Sequence, residues 1–404
     1  MTSSARVTGL LFWTLCIVGF FAILSSTMSK DPVLNPFAHA LGTPDSLMGF
    51  VASASTIPGI LASLPAASLS DRLGRRKVLF ASGIVFASAP FLYLLVNSWW
   101  QLALVRFYHG FATAMFVPVG NAFVAELFPN NRAERISIFS SATVVGRTIA
   151  PFLGGYILFV TNNGFHELYL AVGIAGIAAF VTGLLLMKEK SQATGAGLSL
   201  PRAGPGLLEG WASVAGNRKT LVVSLVEASQ YYAFGATEFF LVGYLREVAR
   251  FDSLSQGIIL GSQLAMIPLL KPLMGRLSDK AGRTIPIVTG SLVGAFALGM
   301  IPFTVRFPLL LLISVLYGIG FSLVTASTPA LVSELTDKAL IGTGMGFLGT
   351  IMDLGQTLGP IITGIVLGVG LGYLGSFASL TVILLATCGI FIISGASRIA
   401  GKNP

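Results

Sequence analysis

Residues Ser70–Lys77 read SDRLGRRK, and Ser278–Arg283 read SDKAGR. Each stretch closes one long apolar run and opens another. Each also carries an acid, a glycine and a cluster of bases. The polar punctuation that follows recurs in the same order. AEL (Ala125–Leu127) is answered by SEL (Ser333–Leu335), and GRTIAPFLGG (Gly146–Gly155) by GQTLGPIITG (Gly355–Gly364). Glu126 stands 25 residues before Pro151, and Glu334 stands 26 before Pro360. Unrelated apolar helices would not keep that register, so the chain reads as a duplicated unit. Duplicated sets of spanning helices build secondary transporters, with the site at the interface of the repeats.

The rest of the chain is apolar. Of 404 residues, 54% are hydrophobic and 10% charged, against about 25% charged in a soluble domain. Spans are expected near 7–27, 47–68, 78–96, 101–124, 137–160 and 168–187, then 220–245, 255–275, 285–304, 308–331, 340–366 and 375–395. The expected fold is an all-α membrane protein of twelve helices in two pseudo-symmetric six-helix bundles. The bundles cover 1–187 and 220–404, and a basic linker rich in Gly, Ser and Pro joins them over 188–219. The first run reads as an uncleaved helix rather than a signal peptide. With both termini cytoplasmic, 18 of the 25 Lys and Arg residues fall inside and four outside, as the positive-inside rule requires. That asymmetry accounts for the net charge of +9 without nucleic acid as a partner. Cys16 and Cys388 sit in apolar runs and suggest neither a disulfide frame nor a metal site. No cofactor or metal is expected. GxxxxGK[ST], HExxH and GxSxG are all absent from the sequence, so nothing points to ATP-driven transport or to an enzyme.

Three motifs resemble the major facilitator superfamily, and the likeness covers essentially the whole chain. Asp71-Arg72-Leu73-Gly74-Arg75-Arg76 resembles its cytoplasmic loop signature, with Ala67 where glycine is usual; the second copy keeps Gly275. Leu102-x3-Arg106-x2-His109-Gly110 resembles the helix-4 motif of the drug:proton antiporter branch, with His109 in place of the commoner glutamine. Gly146-x3-Ala150-Pro151-x2-Gly154-Gly155 resembles its helix-5 motif, with Ala150 replacing one glycine. The resemblance implies alternating access and proton-coupled efflux of amphipathic small molecules. It implies a conformational latch at Asp71, Arg72, Gly74 and Arg75, repeated at Asp279 and Arg283, and a role for Arg106 in proton coupling. Gly146, Pro151 and Gly155, with Gly355 and Pro360 in the second copy, suit either an antiporter motif or ordinary close helix packing.

Six charges lie inside expected spans: Arg106, Arg147, Glu227, Glu238, Lys271 and Asp353. An ionisable group there faces a cavity or a partner, and three cations against three anions suggest internal pairing, Glu227 with Lys271 for one. Glu227 and Glu238 are eleven residues apart, on one helix face and roughly 16 Å apart along the axis. Gln230, Tyr231, Tyr232 and Phe234 between them read as the wall of a wet cavity. Asp353 and Gln356 share a side of the eleventh span. Carboxylates in low dielectric take up protons near neutral pH, which makes Glu238, Asp353 and Glu227, in that order, candidate carriers. Arg106 would tune such a carboxylate or hold an anion. Arg147 would bind an anionic substrate or neutralise Asp353, and His109 would titrate or pack. The candidate substrate-binding set is Arg147, Tyr231, Tyr232, Gln230, Phe234, Gln356 and His109. The three embedded cations also support a second reading, transport of an anionic or zwitterionic metabolite or lipid. A third class is a transporter-like receptor that moves nothing. Expected partners are a small-molecule substrate, protons and the lipid bilayer. The expected state is a monomer with many spans in the plasma membrane, the inner membrane in a Gram-negative cell.

Overall fold

The computed structural model describes residues 3–61, 70, 73–188, 216–336 and 340–395. Among them there are helices and turns and no strand. In chain order the helices are α1 (Ser3–Met28), α2 (Leu34–Ala40), α3 (Asp45–Ser53), α4 (Arg75–Tyr93), α5 (Trp99–Leu127), α6 (Arg132–Val160) and α7 (Phe165–Lys188). Then follow α8 (Arg218–Glu247), α9 (Ser253–Ala281), α10 (Thr284–Met300), α11 (Phe307–Leu335), α12 (Ile341–Val366) and α13 (Gly372–Ile393). Eight stretches among the described residues are long and apolar enough to cross a membrane. Apolar side chains also cover the outside: Ile174 is 70% exposed, Phe296 60% and Val382 62%. In water such a belt would drive association; against lipid it is the required surface.

The second expected span departs from a continuous helix. α3 ends at Ser53, a turn occupies 54–56, and helix resumes over 57–61. Residues 62–69 lie outside the described residues. Pro58 explains the break, because it has no N–H for the fourth carbonyl back and its ring clashes there. Arg106 fills the gap, donating from Nη2 to the Ala52 carbonyl at 3.1 Å and to Ser55 Oγ at 2.5 Å. The short α2 has no counterpart among the expected spans. Of the expected linker, residues 189–215 also lie outside the described residues.

The described residues fall into two compact units. One combines those within Met1–Lys190 with Glu238–Gly261; the other combines those within Ser191–Thr237 with Ser262–Pro404. The first is cored by Phe12, Leu15, Phe86, Phe116, Val119 and Phe139. Gly155 joins Glu238–Gly261 to it by backbone approach: a methyl group on Gly155 would stand 2.6 Å from the Ser253 carbonyl oxygen and 2.9 Å from Gly257 Cα. The second is cored by Val223, Val226, Ile287, Val324, Leu331 and Phe391.

Candidate functional site

In the first unit, charge gathers where α1 ends. The chain leaves α1 at Met28 through a turn that carries Lys30 and Asp31. Lys30 Nζ lies 2.6 Å from Glu238 Oε2, on α8, and 3.5 Å from Asp31 Oδ2. Arg147 Nη2, on α6, lies 3.7 Å from Glu238 Oε1. Asp31 and Glu238 are both buried, at 2% and 4% exposure, so each carboxylate depends on these cations rather than on water. Asp31 lies beyond the end of α1. Burial raises its carboxyl to about 7, against the pull of Lys30, while the nearby charge of Glu238 adds to the rise. Arg147 and Arg106 also lower it, so the charge of Arg106 reaches this cluster.

Behind the cluster lies a layer of rings. Tyr93 and Tyr169 stack with centroids 4.4 Å apart and planes 8° apart. His109 is buried, with Nδ1 3.4 Å from Tyr93 Oη and 3.5 Å from Ser29 Oγ. Its ring meets Phe86 and Tyr93 edge-on. His109 therefore sits in a packed hydrogen-bonded setting rather than against a carboxylate.

In the second unit, Glu227 is buried and accepts a hydrogen bond from the Thr328 hydroxyl. Lys271 acts on it electrostatically, yet no ion pair within 4.0 Å joins the two. Gln230 is fully buried and donates to Ser291 Oγ at 3.4 Å. Phe234 stacks on Phe321 at 4.6 Å, and Tyr231 meets Phe321 edge-on at 5.2 Å. Tyr232 is buried. Of these four side chains only Tyr231 is half-exposed, so this face of α8 is packed rather than wet. Asp353 is half-buried and makes no ion pair among the described residues. Gln356 packs through its backbone carbonyl and Cγ against Gly235.

The motif residues have their own geometry. Asp71 and Arg72 lie outside the described residues. Gly74 takes φ +94° and Gly282 φ +81°, turns that favour glycine. In each copy the arginine after that glycine reaches back to a serine and across to a glutamate. Arg75 donates to the Ser70 hydroxyl and, at 2.9 Å, to Glu126. Arg283 donates to Ser278 at 3.2 Å and to Glu334 at 2.9 Å, and pairs with Asp279 at 2.5 Å. A methyl on Gly146 would stand 2.5 Å from the Phe20 carbonyl oxygen, and one on Gly355 would strike the Ala228 carbonyl. Pro151 and Pro360 lie inside α6 and α12, and the Pro151 carbonyl faces Gly257.

Sequence reasoning missed Lys30 and Asp31. Their signal was an adjacent base and acid directly after a spanning run, which reads like any loop.

The sequence pattern described as Major Facilitator Superfamily matches residues 15–360 and 223–398. The multi-drug resistance efflux pump PmrA of Streptococcus pneumoniae is 25% identical over 354 residues, covering 85% of this chain and 86% of its own. The quinolone resistance protein NorA of Staphylococcus aureus is 23% identical over 347 residues, covering 82% and 84%. A solved bacterial homologue of the human lysosomal transporter Spinster superposes with a TM-score of 0.79 over 100% of both chains at 17% identity, a likeness of fold alone.

Proposed function

The chain belongs to the Major Facilitator Superfamily, and on that premise we propose that it exports amphipathic small molecules in exchange for protons. It is a multi-pass cell-membrane transport protein and not an enzyme. The observation that carries the export reading is the convergence of two buried carboxylates, Asp31 and Glu238, on Lys30. A proton on either carboxylate weakens its hold on the ammonium. A cationic amphipath competes with the proton for the same carboxylates, so one leaves as the other binds, and exchange follows. Arg147 and Arg106 set how tightly Asp31 holds a proton. In this scheme Asp353 and Glu227 are secondary carriers. The chain works as a monomer of two six-helix halves joined by 188–219, with both ends cytoplasmic. The loop arginines Arg75 and Arg283 latch one state. The relatives support export, since PmrA is named an efflux pump and NorA a quinolone resistance protein.

A second reading has its own support. Three cations, Lys30, Arg106 and Arg147, act on two carboxylates in this cluster, an excess that suits an anionic or zwitterionic substrate. Purified protein in liposomes with a pH-sensitive dye inside separates the two. Proton movement driven by cationic dyes, and lost in Glu238→Gln, is the expected result. Proton movement driven only by anionic metabolites or lysolipids would replace the export reading with the second.

A further inference from the structure

At the end of the first unit away from the N-terminus, beyond the charged cluster, lies a cavity of about 500 Å³, the size of a small-molecule site. It is bounded by α2, the turn between α6 and α7, the end of α8 and the segment leading into α9. Three phenylalanines, Phe159, Phe165 and Phe251, form apolar wall, and Arg246, Asn162 and His39 bring polar groups to it.

The charges of this cavity are not equally committed. Its acid, Asp252, caps α9 by accepting the Ser255 amide at 2.8 Å, an occupied role at a helix start. His39 stands 4.0 Å from Glu247. Arg246 is half-buried in the last turn of α8 and has no ion-pair or hydrogen-bond partner among the described residues. The Asn162 side chain likewise has none. A guanidinium with five donors and no acceptor, beside a primary amide and against aromatic rings, is matched by a carboxylate or phosphate bearing an apolar body.

The walls are held in place. Ser253 Oγ donates to Asn163 Oδ1 at 2.6 Å, and Gln256 Nε2 donates to the Phe251 carbonyl at 2.8 Å. Asn162 and Asn163, at φ +54° and +65°, line the cavity, and Arg250, at +61°, lies next to it. They form the left-handed turns that end α6 and α8, where the Asn163 amide donates to the Leu158 carbonyl at 2.7 Å and the Phe251 amide to the Leu245 carbonyl at 2.9 Å.

We propose that this cavity binds an amphipathic anion, its head on Arg246 and Asn162 and its body on Phe159, Phe165 and Phe251. The site is separate from the Lys30–Asp31–Glu238 cluster and does not depend on the export reading. It is occupied without a gradient and without turnover.

The test is equilibrium binding to the full chain in nanodiscs of phosphatidylcholine, with fluorescent 11-(dansylamino)undecanoate as probe and dodecyl phosphate and dodecyltrimethylammonium as competitors. Dodecyl phosphate is expected to displace the probe and dodecyltrimethylammonium to fail. Arg246→Gln is expected to weaken the probe at least about tenfold, the loss of one charge-assisted contact. Arg250→Gln, next to the cavity but not lining it, is expected to stay within about twofold. Should Arg246→Gln unfold, Phe159→Asp at a half-exposed position serves instead, with the same weakening expected. Equal competition by the cation, or unchanged affinity in the folded Arg246→Gln or Phe159→Asp variant, overturns the proposal. Nanodiscs containing phosphatidylglycerol identify the source. Lost probe binding there makes a lipid headgroup the occupant, and retained binding makes it a soluble amphiphile.

Discussion

Replacing Asp31 by asparagine tests the charged cluster through its linkage to folding. Asp31 is buried and ordinarily titrates near 3.8; in the folded chain burial lifts it to about 7. The folded state therefore holds this proton more tightly than the unfolded chain. Its stabilising effect is complete below pH 3.8 and is lost as pH rises through 7. Integrating that difference between pH 5 and pH 8 gives a loss of roughly 2–3 kcal/mol in the wild type. Asparagine does not titrate, so its stability lacks this component. The substitution also removes the 3.5 Å contact with Lys30, yet Lys30 keeps Glu238 at 2.6 Å, so no cation is stranded. Titrating groups away from this cluster are common to both proteins and cancel. Unfolding free energies from SDS titration in mixed micelles, at pH 5 and pH 8, supply the comparison. Asp31→Asn is expected to gain on the wild type by roughly 2–3 kcal/mol as pH rises across that interval. Parallel behaviour of the two proteins, or a gain in the opposite direction, would refute the buried, proton-holding carboxyl on which the exchange scheme rests.

Gly355→Ala drives a methyl into the Ala228 carbonyl and is expected to destabilise by about 1–3 kcal/mol. Gly349→Ala, on the same helix with open space at its Cβ, is expected to be neutral or stabilising by up to about 1 kcal/mol in the same SDS titration. Arg75→Gln and Arg283→Gln break ion pairs whose acidic partners are partly exposed. Each is expected to change unfolding free energy by about 1 kcal/mol or less while slowing substrate counterflow in liposomes. A large loss of stability with unchanged counterflow would make these pairs structural struts rather than a latch.

The duplication was legible because polar punctuation is sparse in an apolar chain and each instance carries weight. SDRLGRRK and SDKAGR reappear as matched turns in which a glycine at positive φ precedes an arginine bonded to serine and glutamate. Helix positions were legible for the same reason, since hydropathy reports length and exposure to lipid. The broken second span was not, because a proline in a spanning run is compatible with a kinked helix or a turn. What decides it is Arg106, placed on another helix to take up the Ala52 carbonyl.

The wall between Glu227 and Glu238 shows where periodicity stops. A stripe of Gln230, Tyr231, Tyr232 and Phe234 shares composition with a cavity lining and with a packed polar–aromatic core, and helical spacing is identical for both. The difference lies in what stands opposite: Phe321 stacks on Phe234 and Ser291 answers Gln230, residues far along the chain. The same holds for Lys30. Counted with the outer loops, it looked like an ordinary solvated charge, because a residue three positions past a span has no periodic neighbour to betray its partner. Its role comes from Glu238, which an embedded-charge search does find, and which needs a cation from somewhere to stay buried. A buried carboxylate on a spanning helix thus predicts a cation not only among the embedded bases but also among those flanking the span ends within side-chain reach. Applied to Asp353, half-buried with no ion pair among the described residues, that reasoning supports the proposed use of the acid as a secondary site for a proton or a cationic substrate.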